Sequence, residues 1–217
     1  MVYIKNTIVD YAELDILIEK IIEKHNSVYE KWKNSDNFRN VNLKKYLVSD
    51  IMDNSHPDYL EYIFKYRSFL NDNIIFITTD FLDNNYEYRV KTQNSTESKL
   101  STYMGNDNTL KRENLGGKVP INKCLNDLFG IRYVFRNRSY EFIKIIEHIN
   151  EVFPKLKVID SSKNGYKAVH VYFKVDNFSF PWELQIWNEE DYSQNKSSHG
   201  IYKQEYTTWE YELKKEG

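Results

Sequence analysis

The stretch AVHVYFKVDNFSFPWELQIW, residues 168–187, decides how this chain is read. Extended backbone points successive side chains to opposite faces, so Val169, Val171, Phe173 and Val175 share one face and His170, Tyr172 and Lys174 the other. In the second run Leu184 and Ile186 share a face, with Glu183, Gln185 and Trp187 opposite. A four-residue loop over 176–179 makes the two runs a hairpin, setting His170 across from Gln185 and Tyr172 across from Glu183. One face of that hairpin is apolar and belongs to a core; the other gathers His, Gln, Glu and Tyr. The polar face reads either as the wet side of an antiparallel sheet or as a site. Glu183 stands between Trp182 and Trp187, where a carboxylate near aromatic surface suits a tuned base or a metal ligand, although a merely paired carboxylate fits as well.

Working outward, further β-like runs cover 86–91, 131–135 and 156–159, so the sheet has about five strands. Residues 142–152 carry Phe142, Ile145, Ile146, Ile149 and Val152 on one helical side, with Ser139 as the expected cap and Pro154 as the stop. Upstream the period changes. Leu14, Leu17, Ile18, Ile21, Val28 and Trp32 recur at helical spacing and predict a helix over 10–33. Two more helices are expected over 41–52 and from Pro57 through Leu70, while 74–82 is ambiguous. The chain thus divides into a helical region, 1–85, and a sheet-containing region, 86–217. Gly105, Gly116, Gly117 and Pro120 mark 104–120 as a mobile loop, and 202–215 as a closing helix completes the reading.

Composition limits the function classes. The chain has 217 residues, 41% of them hydrophobic, and 18 Tyr, 12 Phe and 4 Trp supply enough rings for both a core and a ligand platform. Thirty Lys and Arg against 32 Asp and Glu leave a net charge of −2, so any site for a polyanion must be local. A single Cys124 excludes an internal disulfide and a Cys-rich zinc cage. Residues 1–25 lack the continuous apolar run of a signal peptide or membrane span, so a cytoplasmic protein without membrane insertion is expected.

One local cation cluster stands out. Arg89 and Lys91 fall on one side of their strand, and Ser95 and Lys99 lie one helical turn apart, an arrangement that can converge on a phosphate chain. Ordinary surface charge is the other reading. Asp127, before the strand at 131–135, can hold magnesium together with phosphate oxygens and water, or simply make a turn.

Taken in order, RVKTQNSTESK (89–99), DLFGIR (127–132), NGYKAVH (164–170), ELQIW (183–187) and HGIYK (199–203) resemble the synthetase domain of the RelA/SpoT family. The resemblance implies an α+β, nucleotidyltransferase-like fold with a mixed sheet flanked by helices. It also implies magnesium-dependent transfer of pyrophosphate from ATP to the 3′-hydroxyl of an acceptor nucleotide. By the same resemblance Arg89, Lys91, Ser95 and Lys99 bind ATP, Asp127 binds magnesium, and Glu183 completes the metal site or accepts the hydroxyl proton. Tyr166 stacks on the acceptor base, His170, Gln185 and Asn164 contact the acceptor, and His199 and Tyr202 lie in the terminal motif without an assigned role.

Departures from the family pattern bear on the acceptor. Glu97 stands where a basic residue is common, and Trp187 where Arg often follows the Ile. The chain ends soon after Lys203, leaving little room for the C-terminal helices of tetrameric alarmone synthetases. These features resemble the toxic branch of small alarmone synthetases, and the favoured acceptor is the 3′-CCA adenosine of tRNA, with an antitoxin as the expected partner. Lys31, Lys33, Arg39, Lys44 and Lys45 are then candidate tRNA contacts, a solvated helix face being the plainer reading. The alternatives are alarmone synthesis from guanosine or adenosine nucleotides, and a degenerate nucleotide-binding sensor.

Overall fold

The computed structural model describes residues 11–52, 57–81, 86–105, 116–136 and 139–197. Helix α1 (Ala12–Lys33) buries Leu14, Leu17, Ile18, Ile21, His25, Val28, Tyr29 and Trp32 along one stripe. Acidic Glu13 and Asp15 in its first turn and basic Lys31 and Lys33 in its last complement the helix dipole. The helix stops at Asn34, whose side chain folds back to the Glu30 carbonyl at 2.9 Å. Short α2 (Val48–Met52), α3 (Pro57–Asp72) and α4 (Ile74–Thr78) complete the helical region, with a 3₁₀ turn at Thr79–Phe81.

The sheet is built from β1 (Tyr86–Val90), β2 (Phe129–Phe135), β3 (Lys157–Asp160), β4 (Val169–Phe173) and β5 (Trp182–Asn188). Helices α5 (Gln93–Met104), α6 (Ile121–Cys124) and α7 (Phe142–Val152) lie between the strands in sequence. The strand order is β1-β2-β5-β4-β3. Only the β2–β5 pair is parallel, so the sheet is mixed, as expected. The hairpin register is the one the alternation predicts: His170 pairs with Gln185 and Tyr172 with Glu183.

One face of this sheet is core. Phe129, Ile131, Tyr133, Trp182, Leu184, Ile186, Val169, Val171 and Phe173 join the buried side chains of α1 and α3 in one continuous cluster. Its polar atoms are satisfied internally. Trp182 Nε1–H donates to the Tyr66 hydroxyl (3.2 Å), Trp32 Nε1–H to Tyr62 (3.2 Å), and His25 Nε2 bonds the Phe180 carbonyl at 3.0 Å. Burial pushes the His25 imidazole down to about 4, against the pull of that carbonyl, so it is neutral at pH 7.

Several expectations are corrected. Residues 41–52 do not form one helix. Asn42 Oδ1 accepts from the N–H groups of Lys44 and Lys45, Leu47 bridges to Pro120, and helix begins only at Val48. Strand β2 starts at Phe129 rather than at 131, its apolar run having been disguised by Gly130. Ser139 caps nothing: its hydroxyl donates to Glu190 Oε1 at 2.6 Å, and Glu141 holds the cap position of α7 without a side-chain bond. The ambiguous segment 74–82 is helical through Phe81. Much of the loop expected over 104–120, and the helix expected over 202–215, lie outside the described residues. Among the described residues no helix is long and apolar enough to cross a membrane.

Candidate active site

The cation cluster forms where β1 turns into α5. Thr92 caps the helix, its Oγ1 accepting from the Ser95 backbone N–H at 3.2 Å while its hydroxyl donates to Ser95 Oγ at 2.9 Å. The turn aims Lys91 inward and puts Lys99 one helical turn after Ser95. Both lysines meet Asp127, which is only 7% exposed: Lys91 Nζ lies 2.7 Å from Oδ2 and Lys99 Nζ 2.9 Å from Oδ1. Arg89 Nη2 stands 3.7 Å from the same carboxylate, and Lys99 also donates to Asn126 Oδ1 at 3.1 Å. Burial alone would raise the Asp127 pKa, but the Lys99 and Lys91 ammoniums outweigh it and hold the carboxyl far below its ordinary range. The two lysines respond differently to the shared partner. Burial and the neighbouring cations leave Lys91 lowered, whereas Asp127 overcomes burial at Lys99 and raises it.

The polar face of the sheet starts beside this cluster. Register sets Arg89, Gly130, Glu183, Tyr172 and Lys157 in one row across the strands, and Glu87, Arg132, Gln185, His170 and Ile159 in the next. At Gly130 a β-carbon would sit 3.8 Å from the Arg89 side chain, an ordinary contact, so Arg89 lies over this position of β2. A shallow open cleft follows, lined by Glu87, Tyr88, Arg89, Gly130, Ile131, Arg132 and Gln185.

Six side chains on this face close a ring. Trp187 Nε1–H donates to the Tyr166 hydroxyl (3.2 Å), which meets His170 Nε2 at 2.9 Å. His170 Nδ1 lies 3.1 Å from Glu183 Oε1, Gln185 Nε2–H donates to Glu183 Oε2 (2.8 Å), and Arg132 Nη2–H donates to Gln185 Oε1 (3.2 Å). The Arg132 guanidinium then lies 3.7 Å over the Trp187 ring, completing the circuit. The ring fixes the protons. An ionised Glu183 only accepts, so His170 carries hydrogen on Nδ1, and an indole N–H only donates, so the Tyr166 oxygen accepts from Trp187. Burial would raise the Glu183 pKa and Asp127 adds to that, but the hydrogen bond and charge of His170 prevail and lower it. Tyr172 stands between the two clusters, its hydroxyl 3.4 Å from His170 Nδ1; burial, then the Glu183 charge, raises its pKa strongly.

The structure therefore brings Arg89, Lys91 and Lys99 onto Asp127 at one end, with Ser95 bonded to Thr92 in the first turn of α5, and Tyr166, His170, Glu183 and Gln185 together beside them. It overturns the reading of this face as simply solvated: Glu183 and Gln185 are each 5% exposed. Asn164 is the first corner of a two-residue hairpin turn. Its φ is 50° and that of Gly165 is 84°, with Lys163 and Tyr166 exchanging both backbone bonds. The five basic residues of the helical region are dispersed. Lys31 donates to Asn73 (2.5 Å), Lys33 pairs with Glu30 (3.4 Å), Arg39 pairs with Asp58 (3.2 Å), and Lys44 and Lys45 are exposed in a turn rather than on a helix face. Arg132 was missed as a site residue although it lies within DLFGIR; a lone Arg in a strand carries no periodic signal. His199 and Tyr202 lie outside the described residues.

Asp127 and Glu183 are the carboxylates that would hold magnesium, as partners of the ion rather than as a closed cage. Among the described residues no three His, Cys, Asp or Glu side chains cluster as a metal site. Asp127 and Glu183 are close enough for the Asp127 charge to work against ionising Glu183. Two hard oxygen donors of this kind suit a cation that keeps several waters and takes phosphate oxygens as its remaining ligands.

No protein-family model matches the chain, and no curated protein matches it. Solved structures to which it is similar include the small alarmone synthetase 2 from Bacillus subtilis, at 18% identity over 68% of this chain and 80% of that one, with a TM-score of 0.33. They also include the small alarmone synthetase 1 from Bacillus subtilis, at 15% identity over 72% of this chain and 81% of that one, with a TM-score of 0.36.

Proposed function

We propose that this chain is a RelA/SpoT-type pyrophosphotransferase, with residues 86–217 as its synthetase unit and 1–85 as a helical support. The reaction moves the β,γ-pyrophosphate of ATP to the 3′-hydroxyl of a nucleotide acceptor. The observation that carries the reading is the buried Asp127 held between Lys91 and Lys99, at 2.7 and 2.9 Å, at the N-terminal end of α5 and beside a second buried carboxylate, Glu183. Cations, helix amides and paired carboxylates in one place are what a metal-chelated polyphosphate needs.

On this reading the donor phosphates take over the lysine bonds that Asp127 now holds, with Arg89 and the Ser95 end of α5 completing the cradle. The donor base enters the cleft between Arg89 and Arg132. Magnesium held by Asp127 and Glu183 would neutralise charge on the donor phosphates. The acceptor's 3′-oxygen attacks the β-phosphorus in line and the bond to the α,β-bridging oxygen breaks; AMP leaves with that oxygen, and the hydroxyl proton passes to a base or to water. Such transfers depend on positioning and charge more than on a strong base. The lowered pKa of Glu183 accordingly favours a charge-holding and orienting role for it. Tyr166, His170 and Gln185, with Asn164 in the same turn, form the acceptor side.

The acceptor reading we favour is the 3′-terminal adenosine of tRNA, because Glu97 and Trp187 remove two positive charges expected near a small charged nucleotide. A toxin role and a neutralising antitoxin accompany that reading. One observation favours a free guanosine or adenosine nucleotide instead: Arg132 on Trp187 returns a cation to the same face. A degenerate sensor would bind ATP without turnover, yet Asp127 and Glu183 both keep competent side chains.

Incubating the protein with β-labelled or γ-labelled ATP, magnesium and, in parallel, deacylated tRNA, GDP, GTP or AMP tests all three. Label on tRNA supports the favoured acceptor, label on a nucleotide the second reading, and ATP binding without transfer the sensor.

A further inference from the structure

Trp187 is fully buried, on the face of the sheet that carries the candidate site rather than on the core face. Only a small apolar cluster surrounds it there: Val134 and Ala168, with Tyr166 and Tyr192 packed against them. An indole in such a place has two handles, a flat π face and one N–H that must find an acceptor. Both are used. The face receives the Arg132 guanidinium at 3.7 Å, and the N–H goes to the Tyr166 hydroxyl at 3.2 Å. The Tyr166 ring stands nearly perpendicular to the indole, at 82° with centroids 5.8 Å apart.

These two neighbours belong to opposite halves of the site. Arg132 lines the cleft with Arg89 and is anchored by Glu87 Oε2 at 2.6 Å. Tyr166 is tied to His170 and, through it, to Glu183. We propose that Trp187 is a positioning residue for both nucleotides, its ring face setting Arg132 on the donor side and its N–H setting Tyr166 on the acceptor side. The proposal rests on the function proposed above and deepens it by assigning the spacing between donor and acceptor to one side chain. Trp187 touches neither substrate; it acts through the two residues it holds. An Arg at this position would repel Arg132 and offer no π face, so the same ring could not close.

The two handles separate by substitution. Trp187→Phe keeps a ring under Arg132 and removes the N–H; Trp187→Leu removes both. For whichever acceptor the wild type labels, Trp187→Phe should raise the acceptor KM about tenfold, the loss of one buried hydrogen bond. The KM for ATP should move less than about twofold, within the spread of a neutral change. Adding Tyr166→Phe should cost clearly less than the sum of the two single losses, because the Trp187 bond is already broken and only the Tyr166–His170 bond is left to lose. Trp187→Leu should raise both KM values. Equal weakening of donor and acceptor in Trp187→Phe, or full additivity with Tyr166→Phe, would overturn the proposal, since a merely structural indole predicts both.

A second measurement separates this from the reading it rests on. The chain has four tryptophans, so the ¹H–¹⁵N spectrum carries four indole resonances, and Trp187→Phe removes and thereby assigns one. That resonance should shift and exchange faster with water in Tyr166→Phe, and shift in Arg132→Leu. Those shifts in a protein that labels no acceptor would sink the proposed function and leave the positioning by Trp187 intact. An unmoved resonance would sink the positioning whatever the activity.

Discussion

The two faces of the sheet are made by the same strands and behave as different materials. Along β5, Leu184 and Ile186 point into a cluster that runs through α1 and α3, where their own apolar contacts have no direction. Glu183, Gln185 and Trp187 point the other way, into a ring in which each donor has a designated acceptor. The first face tolerates approximate fit and supplies stability; the second depends on geometry and supplies chemistry. Residues one apart in sequence therefore fail in different ways.

The largest expected effect comes from the pair that states this contrast most directly. Glu183→Gln keeps volume and removes charge. Transfer should fall almost completely, by about 10³-fold, the scale of one essential charged group in a transfer site. ATP binding should persist, and the stability loss should stay within about 2 kcal/mol, because only the Gln185 contact becomes donor against donor. Its neighbour Leu184→Ala should do the reverse, costing about 3 kcal/mol of stability through the cavity it leaves while turnover per folded molecule stays unchanged. Denaturant melts beside single-turnover rates decide it. Loss of turnover in the folded Leu184 variant would show that the faces are not separable.

The core face also holds a buried imidazole, which sharpens the comparison by pH. His25 packs against Trp182 with ring centroids 4.7 Å apart, and its pKa is down near 4. The unfolded chain takes up that proton below about 6.5, so the folded state is favoured fully above that pH. Its advantage drains away as pH falls from 6.5 to about 4, with no further loss from this group below. The loss is on the order of 3 kcal/mol. Subtracting the stability–pH curve of His25→Gln from that of the wild type isolates it from the carboxylates that titrate lower. A flat difference curve would mean that His25 is not held neutral by burial.

How much of this was legible beforehand follows from the same physics. The period-2 alternation in 168–187 is dictated by burial of one face, so the hairpin register, and with it the meeting of His170 with Gln185 and Tyr172 with Glu183, could be read directly. Helices α1, α3 and α7 declared themselves by apolar spacing. Local polar bonds are quieter: the Asn42 side chain that stops a helix over 41–52 looks like any other Asn. Coverage is quieter still. Nothing in the alternation says that Glu183 and Gln185 are nearly sealed from water, because that depends on groups distant in sequence such as Tyr166 and Arg132. Arg132 needed three dimensions to become a site residue.

The smallest expected effect concerns the helical region. A phosphate platform on Lys31, Lys33, Arg39, Lys44 and Lys45 requires their ammonium and guanidinium groups to be free and to share a surface. Three of the five are bound to Asn73, Glu30 and Asp58. Lys44 and Lys45 remain exposed, but their turn is shaped by the Asn42 carboxamide accepting from their backbone N–H groups, which charge reversal leaves in place. The double variant Lys44→Glu, Lys45→Glu should therefore fold normally, shift stability by less than about 0.5 kcal/mol, and modify a free nucleotide at the wild-type rate. Measured on tRNA across a salt series, it should lower the slope of log affinity against log salt by at most about 2, one for each phosphate that a lysine no longer neutralises. A steep loss on tRNA with unchanged nucleotide turnover would make these two lysines a true platform, and would extend the chemistry of the polar face onto a region that otherwise serves the core.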